Sequence, residues 1–179
     1  KQLWWVDWDQ IELREVEIPQ VKPNEVKVKV AYAALCATDV HQVTMGVMNI
    51  KPPAPLGHEA SGTIVELGEQ AAAAGFKVGD KVTMFPVSHC GECEWCKKGM
   101  TQYCINSKPT GAFAEYVVTD VKTIYKLPDN VELRDYAIVE PTNCCLRAMD
   151  LAPIRHGATV CVAGVGGIGS IMLNQILLS

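Results

Sequence analysis

From Trp4 to about Leu127, apolar residues fall in short β-rich runs broken by glycine, proline and acidic turns. The clearest run is Val26, Val28, Val30 and Tyr32, set against Lys27, Lys29 and alanines, which is the period of a half-buried strand. Trp4–Trp8 and Ile11–Ile18 are earlier β-rich runs, followed by a proline-flanked turn from Pro19 to Glu25. Ala60–Leu67 and Lys81–Phe85 continue the series across a turn-rich connector, Gly75–Asp80, and Ala112–Val118 and Thr123–Leu127 complete it. Short strands at these intervals predict a small β-barrel.

Past Pro128 the pattern changes. Asp129 and Asn130 are candidate caps for a helix over Val131–Val139, and Thr142 or Asn143 opens a second that reaches about Leu151. Thr159–Ala163 reads as a short apolar strand running into Gly164, with an apolar helix over Ser170–Leu178 behind it. The expectation is an α+β barrel domain over residues 1–140, then the start of an α/β domain over 141–179. Too few residues follow Gly169 to complete a nucleotide-binding sheet, so the chain reads as the front half of a larger protein.

Composition narrows the function classes. Of 179 residues, 49% are hydrophobic and 20% charged, enough to build a core and unlike a disordered chain. The net charge of −4, with lysines scattered, supplies no basic stripe for nucleic acid. No apolar run approaches the length that spans a bilayer. Lys1–Gln10 has no basic segment leading into an apolar run, so a reducing cytoplasmic setting is expected.

Half of the eight cysteines lie in one place: Cys90, Cys93, Cys96 and Cys104, spaced C-x2-C-x2-C-x7-C. Four thiolates so close in sequence suit a tetrahedral zinc. Disulfides are the competing reading in a secreted mini-protein, but three cysteines two residues apart pair poorly with one another. An iron–sulfur cluster is the other, although the Cys-Pro ending of the bacterial ferredoxin run is missing. A shell filled by four cysteines leaves no position for substrate, so residues 90–104 are read as a structural zinc lobe.

Gly164-Val165-Gly166-Gly167-Ile168-Gly169 stands between the expected strand and the last helix. In that setting G-x-G-x-x-G is a dinucleotide fingerprint: Gly164 for the tight turn, Gly166 for approach of the pyrophosphate, Gly169 for close packing of the helix. Two further segments carry metal-ligand chemistry, Cys36-Ala37-Thr38-Asp39-Val40-His41 and Gly57-His58-Glu59. Cys36 and His58 are a suitable pair for zinc, with Glu59 or Glu140 as a third donor. Three protein ligands and one exchangeable position make a catalytic site.

Together these motifs resemble the zinc-dependent medium-chain alcohol and polyol dehydrogenases, and within them the sorbitol, butanediol and threonine dehydrogenase branch, on the strength of Glu140-Pro141 and Cys144-Cys145. The resemblance covers the whole chain and implies a GroES-like catalytic barrel leading into a Rossmann domain. It implies two zincs per chain, one catalytic and one structural, with NAD or NADP as the hydride carrier. Cys36 and His58 would be catalytic zinc ligands, with Glu59 and Glu140 alternating between ligand and outer shell. Thr38 would bond the substrate hydroxyl, His41 would end a proton relay, and Asp39 would orient the zinc-bound histidine. Gly164, Gly166, Gly167, Ile168 and Gly169 would cradle the cofactor. The substrate would be a small alcohol, polyol or ketone, with neither nucleic acid nor membrane as partner, and the protein would be a homo-oligomer. The alternatives are a zinc-stabilised binding module or an inactive piece of such a dehydrogenase.

The remaining conspicuous residues are read as structural. Trp4, Trp5 and Trp8 suit a barrel wall, and Cys161 suits the core. Cys144 and Cys145 are divided between helix packing and the active site. Met45 and Met48 are candidates for a substrate pocket, His89 adjoins the cysteine lobe without a role, and His156 reads as a loop residue.

Overall fold

The computed structural model describes residues 1–47, 50–85, 87–152, 154–155 and 157–178; Met48 and His156 therefore lie outside the described residues. The chain divides into two compact units, Lys1–Ala137 and Ile138–Ser179. In chain order the first contains β1 (Gln2–Asp7), β2 (Gln10–Arg14), β3 (Glu25–Ala34), α1 (Ala37–Met45), β4 (Ala54–Pro55), β5 (Glu59–Leu67) and α2 (Glu69–Ala73). It continues with β6 (Lys81–Met84), β7 (Val87–Ser88), α3 (Glu94–Lys97), β8 (Lys108–Pro109), β9 (Tyr116–Asp120) and β10 (Ile124–Lys126). The second unit contains α4 (Val139–Leu151) and α5 (Gly167–Leu178).

The alternation of Val26 and Val28 with lysines places β3 inside a five-stranded antiparallel sheet, ordered β10-β6-β5-β3-β9. Its inner face buries Val26, Val28, Ala60, Ile64, Val82, Met84, Val117 and Ile124, and the sheet curls around them as a half-barrel. Sheets curl this way when a twisted antiparallel array closes on one apolar face. A three-stranded sheet, β2-β1-β4, carries a second cluster in which Trp5 is fully buried with Ala54 and Leu56. Trp8 meets Trp5 edge to face at 5.3 Å, while Arg14 lies over the Trp4 ring at 5.7 Å.

The pairing of β3 with β5 contains two bulges. Val65 is the extra residue on β5, between the pairs Lys27↔Glu66 and Val28↔Ile64. Ala31 is the extra residue on β3, between Val30↔Gly62 and Tyr32↔Ser61. One bulge on each strand cancels the other, and the ladder ends in register at Ala34↔Glu59. At that end β3 runs into Cys36 and β5 emerges from His58.

Several expected elements form differently. The helix expected over Val131–Val139 is replaced by a 3-10 turn, Leu133–Tyr136. The barrel takes the carbonyls such a helix would need: Lys81 Nζ donates to the Asp129 and Val131 oxygens at 2.9 and 2.6 Å, and Ser61 Oγ to the Leu133 oxygen at 2.5 Å. Residues 112–114 do not extend β9, because Ala112 and Phe113 donate instead to the carbonyls of Gly57 and Leu56. The strand expected over Thr159–Ala163 is absent among the described residues, and Cys161, read as core, is exposed. A parallel strand exists only against neighbours, and this unit holds no strand among its described residues.

Asp80 is the most buried carboxylate of the first unit, at 1% exposure. Burial pushes its carboxyl up, but the Lys126 ammonium at 2.9 Å, the Lys77 amide at 3.0 Å and both lysine charges outweigh burial and hold it below the usual range. Replacing Asp80 with Asn should cost about 1–3 kcal/mol in urea unfolding at neutral pH. A depressed carboxyl contributes stability above its unfolded pKa and loses it as pH falls through the folded value, so the gap between wild type and variant should close only below about pH 4. At Gly57, φ is +91°, and an added Cβ would lie 2.5 Å from the Phe113 amide nitrogen. Gly57→Ala should therefore lower stability by about 1–3 kcal/mol on the same assay.

Candidate catalytic and structural metal centres

Cys36 is the N-cap of α1. Its sulfur accepts the Thr38 amide at 3.4 Å, and the Asp39 carboxylate reaches back to the Cys36 amide at 3.2 Å, completing a capping box. The helix thereby presents Thr38, Asp39 and His41 within its first turn and a half. Thr38 is half-buried, Asp39 is buried and His41 is exposed.

Asp39 makes contacts beyond its own helix. Its Oδ1 accepts the buried Gly57 amide at 3.2 Å and stands 3.3 Å from His58 Nδ1. The hydrogen bond to Asp39 raises the His58 pKa to about 9 against the opposing effect of burial, with the Asp39 charge and the Cys36 thiol adding to the rise. Ligand atoms of Cys36, His58 and Glu59 all lie within 4.8 Å of one another. Sulfur, imidazole and carboxylate in such a group form a donor set suited to zinc. Of the four residues read as catalytic-metal donors, these three converge within the first unit. Glu140 belongs to the second, in the first turn of α4, where the Cys144 thiol points to its Oε1 at 3.8 Å.

The four-cysteine segment forms a separate group. Its entry and exit are tied by the two-residue ladder β7–β8, Val87↔Pro109 and Ser88↔Lys108. The four sulfurs lie within 4.8 Å of one another. Cys90 Sγ is 3.6 Å from Cys104 Sγ and 4.0 Å from Cys96 Sγ. Tetrahedral Zn–S bonds of about 2.3 Å demand sulfurs about 3.8 Å apart, so the group fits zinc. Amides of Glu92 and Cys93 draw the Cys90 thiol down to about 6, and the Cys96 amide lowers Cys93. Burial pushes Cys96 up to about 12. Such a shell ionises fully only around a cation. Cys90, Cys93, Cys96 and Cys104 are not joined by disulfides, as a metal reading requires.

The glycine turn opens α5 at Gly167, three residues ahead of the helix expected from Ser170. Gly164 has φ +95°, and a Cβ on Gly169 would collide with the Gly164 carbonyl oxygen, so the third glycine of the motif is required by packing within the turn itself. Cys145 is buried, its thiol 3.6 Å from the Ile168 oxygen, which places it in helix packing, whereas Cys144 is exposed. Met45 is exposed at the end of α1. His89 Nδ1 is buried without a hydrogen-bond partner. Two features escaped the sequence reading: α1 itself, and the reach of Asp39 to Gly57. An acidic residue three positions after the cap was the available signal for the first.

Comparison with known proteins agrees with this architecture. Residues 22–129 match the family model for the alcohol dehydrogenase GroES-like domain. D-arabitol-phosphate dehydrogenase of Enterococcus avium is 34% identical over 93% of this chain and 49% of its own length. Sorbitol dehydrogenase of Halalkalibacterium halodurans is 38% identical over 86% of this chain and 46% of its own. The crystal structure of galactitol-1-phosphate dehydrogenase from Escherichia coli superposes with a TM-score of 0.85 at 29% identity, covering 99% of this chain and 52% of that one. The chain thus spans about half the length of the relatives it matches. With residues 22–129 carrying the GroES-like domain, it belongs to the zinc-type medium-chain alcohol and polyol dehydrogenases.

Proposed function

We propose that the protein is a zinc-dependent oxidoreductase that moves a hydride between a secondary alcohol or polyol and NAD or NADP, and reverses to reduce the carbonyl. The observation that carries this reading is the convergence of Cys36, His58 and Glu59 from two chain segments, with Asp39 behind the histidine. Three protein donors leave a zinc one position for substrate. His58 Nδ1 is committed to Asp39, so Nε2 is the nitrogen that serves as ligand. Glu59 supplies the acidic donor of this group.

When bound, zinc supplies Lewis acidity toward a substrate hydroxyl, and the nicotinamide supplies a hydride acceptor. The chain's own residues handle binding and the proton. Thr38 Oγ1 accepts the proton of the substrate hydroxyl in a hydrogen bond. As it takes that proton it releases its own hydroxyl proton, which His41, three residues along the same helix and exposed, passes to solvent. Asp39 fixes the orientation of the His58 ring. Gly164, Gly166, Gly167 and Ile168 offer backbone to the cofactor phosphates at the N-terminal end of α5, and Gly169 keeps the turn closed. Cys90, Cys93, Cys96 and Cys104 hold a second, structural zinc. The same reading puts the protein in the cytoplasm, as a homo-oligomer.

Cys36→Ser separates the cap from the ligand, because serine caps a helix well but is a poor zinc donor. In the full-length protein the substitution should leave the chain folded, reduce zinc from two per chain to one, and lower turnover of polyols or butanediol about a thousandfold. Wild-type turnover in this variant would sink the reading. Cys104→Ser should act differently: it should remove the other zinc and lower the melting temperature, with the main loss in folded yield rather than in kcat of the folded fraction.

A further inference from the structure

The three donors of the candidate catalytic site come from two segments far apart in sequence, the Cys36 cap and the Gly57–Glu59 approach to β5. For the donor set to form, these segments must be held at ligand distance. The end of the β3–β5 ladder brings them near, at Ala34↔Glu59, but Cys36 and His58 both lie just beyond the last paired residues. One side chain spans the gap. Asp39 Oδ2 accepts the Cys36 amide at 3.2 Å, and Oδ1 accepts the Gly57 amide at 3.2 Å and faces His58 Nδ1 at 3.3 Å.

We propose that Asp39 is a positioning residue that assembles the donor set before metal arrives, by clasping the backbones of both ligand segments with its two oxygens. The proposal rests on the donor-set reading above and adds to it a reason why this position must be a carboxylate. Orienting one histidine needs one acceptor oxygen, which an asparagine also has. Joining two N–H groups on opposite sides needs two acceptors, and an amide offers one oxygen and one NH2. Whichever way an asparagine side chain turned at this position, it would set a donor against a backbone donor. The Gly57 amide is buried, so losing its acceptor leaves an orphaned N–H, which folded proteins avoid. Gly57 must also keep a positive φ to aim His58, and the clasp holds the chain there.

The clasp is tested on the full-length protein with zinc, by competition against graded chelator, and by amide hydrogen exchange. In wild type holding only the zinc of the four-cysteine lobe, the Cys36 and Gly57 amides should already be protected, and adding the second zinc should change that protection little. Asp39→Asn and Asp39→Ala should weaken one of the two zincs by similar factors, about ten- to a hundredfold. The zinc of the four-cysteine lobe should stay unaffected in both variants, which also reports that they fold. Two results overturn the clasp: Asp39→Asn binding both zincs like wild type, or wild-type amides gaining protection only when the second zinc is added. Cys36→Ser separates this from failure of the underlying reading. If that variant loses a zinc while Asp39→Asn does not, the donor set stands and the clasp falls. If Cys36→Ser keeps both zincs, the donor set falls and takes the clasp with it.

Discussion

The register between β3 and β5 is the constraint on which the rest depends. Side chains alternate faces along a strand, so a slip of one residue would turn Val26, Val28 and Ile64 out of the core and rotate Glu59 with them. Burial of those residues keeps the register, and the compensating bulges at Ala31 and Val65 let the sheet bend without shifting its end. Because the ladder finishes at Ala34↔Glu59, the positions of Cys36 and His58 follow from core packing at its other end. The apolar half-barrel thereby does the coarse work of aiming a polar site, and hydrogen bonds do the fine work.

Charge in the first unit is handled by one repeated solution, a buried or half-buried acceptor surrounded by donors. Asp80 is held by the Lys77 amide and Lys126. Asp39 is held by two amides and an imidazole. In the cysteine lobe the amides of Cys90 and Cys93 point at the sulfurs of Cys104 and Cys90. The first of these satisfies its charge within the protein. The lobe instead gathers more potential negative charge than its amides can offset, and a group of that kind is completed by a cation.

What the sequence made legible was whatever has a period or a fixed spacing. Alternation at Val26–Tyr32 and Ala60–Leu67 located the two central strands to within a residue or two. C-x2-C-x2-C-x7-C marked four sulfurs that the structure gathers, because a short loop cannot scatter them far. Elements decided by distant partners were not legible. The Val131–Val139 segment has helical composition, yet Lys81 and Ser61, some fifty and seventy residues earlier, take its carbonyls. Thr159–Ala163 has strand composition and no strand to pair with among the described residues. Helix α1 lacks a clear apolar stripe, since its face is given over to Asp39 and Gln42, both buried through hydrogen bonds rather than apolar contact. The convergence of Cys36, His58 and Glu59 was readable as chemistry, but the carboxylate linking their segments was visible only in three dimensions.

The way the four-cysteine lobe joins the barrel has an evolutionary side. It enters and leaves through a two-residue ladder, so its two ends sit beside each other and its internal bonding is local. The strands on either side, β6 and β9, belong to the sheet whether the excursion between them is long or short. An excursion of that kind is a cassette: it can be lengthened, shortened or discarded by a lineage without rebuilding the barrel. The donors at Cys36, His58 and Glu59 have no such freedom, because Glu59 is paired in the ladder that makes the domain and the other two stand directly beyond its end. Across descendants of such a chain, the lobe is the part expected to come and go.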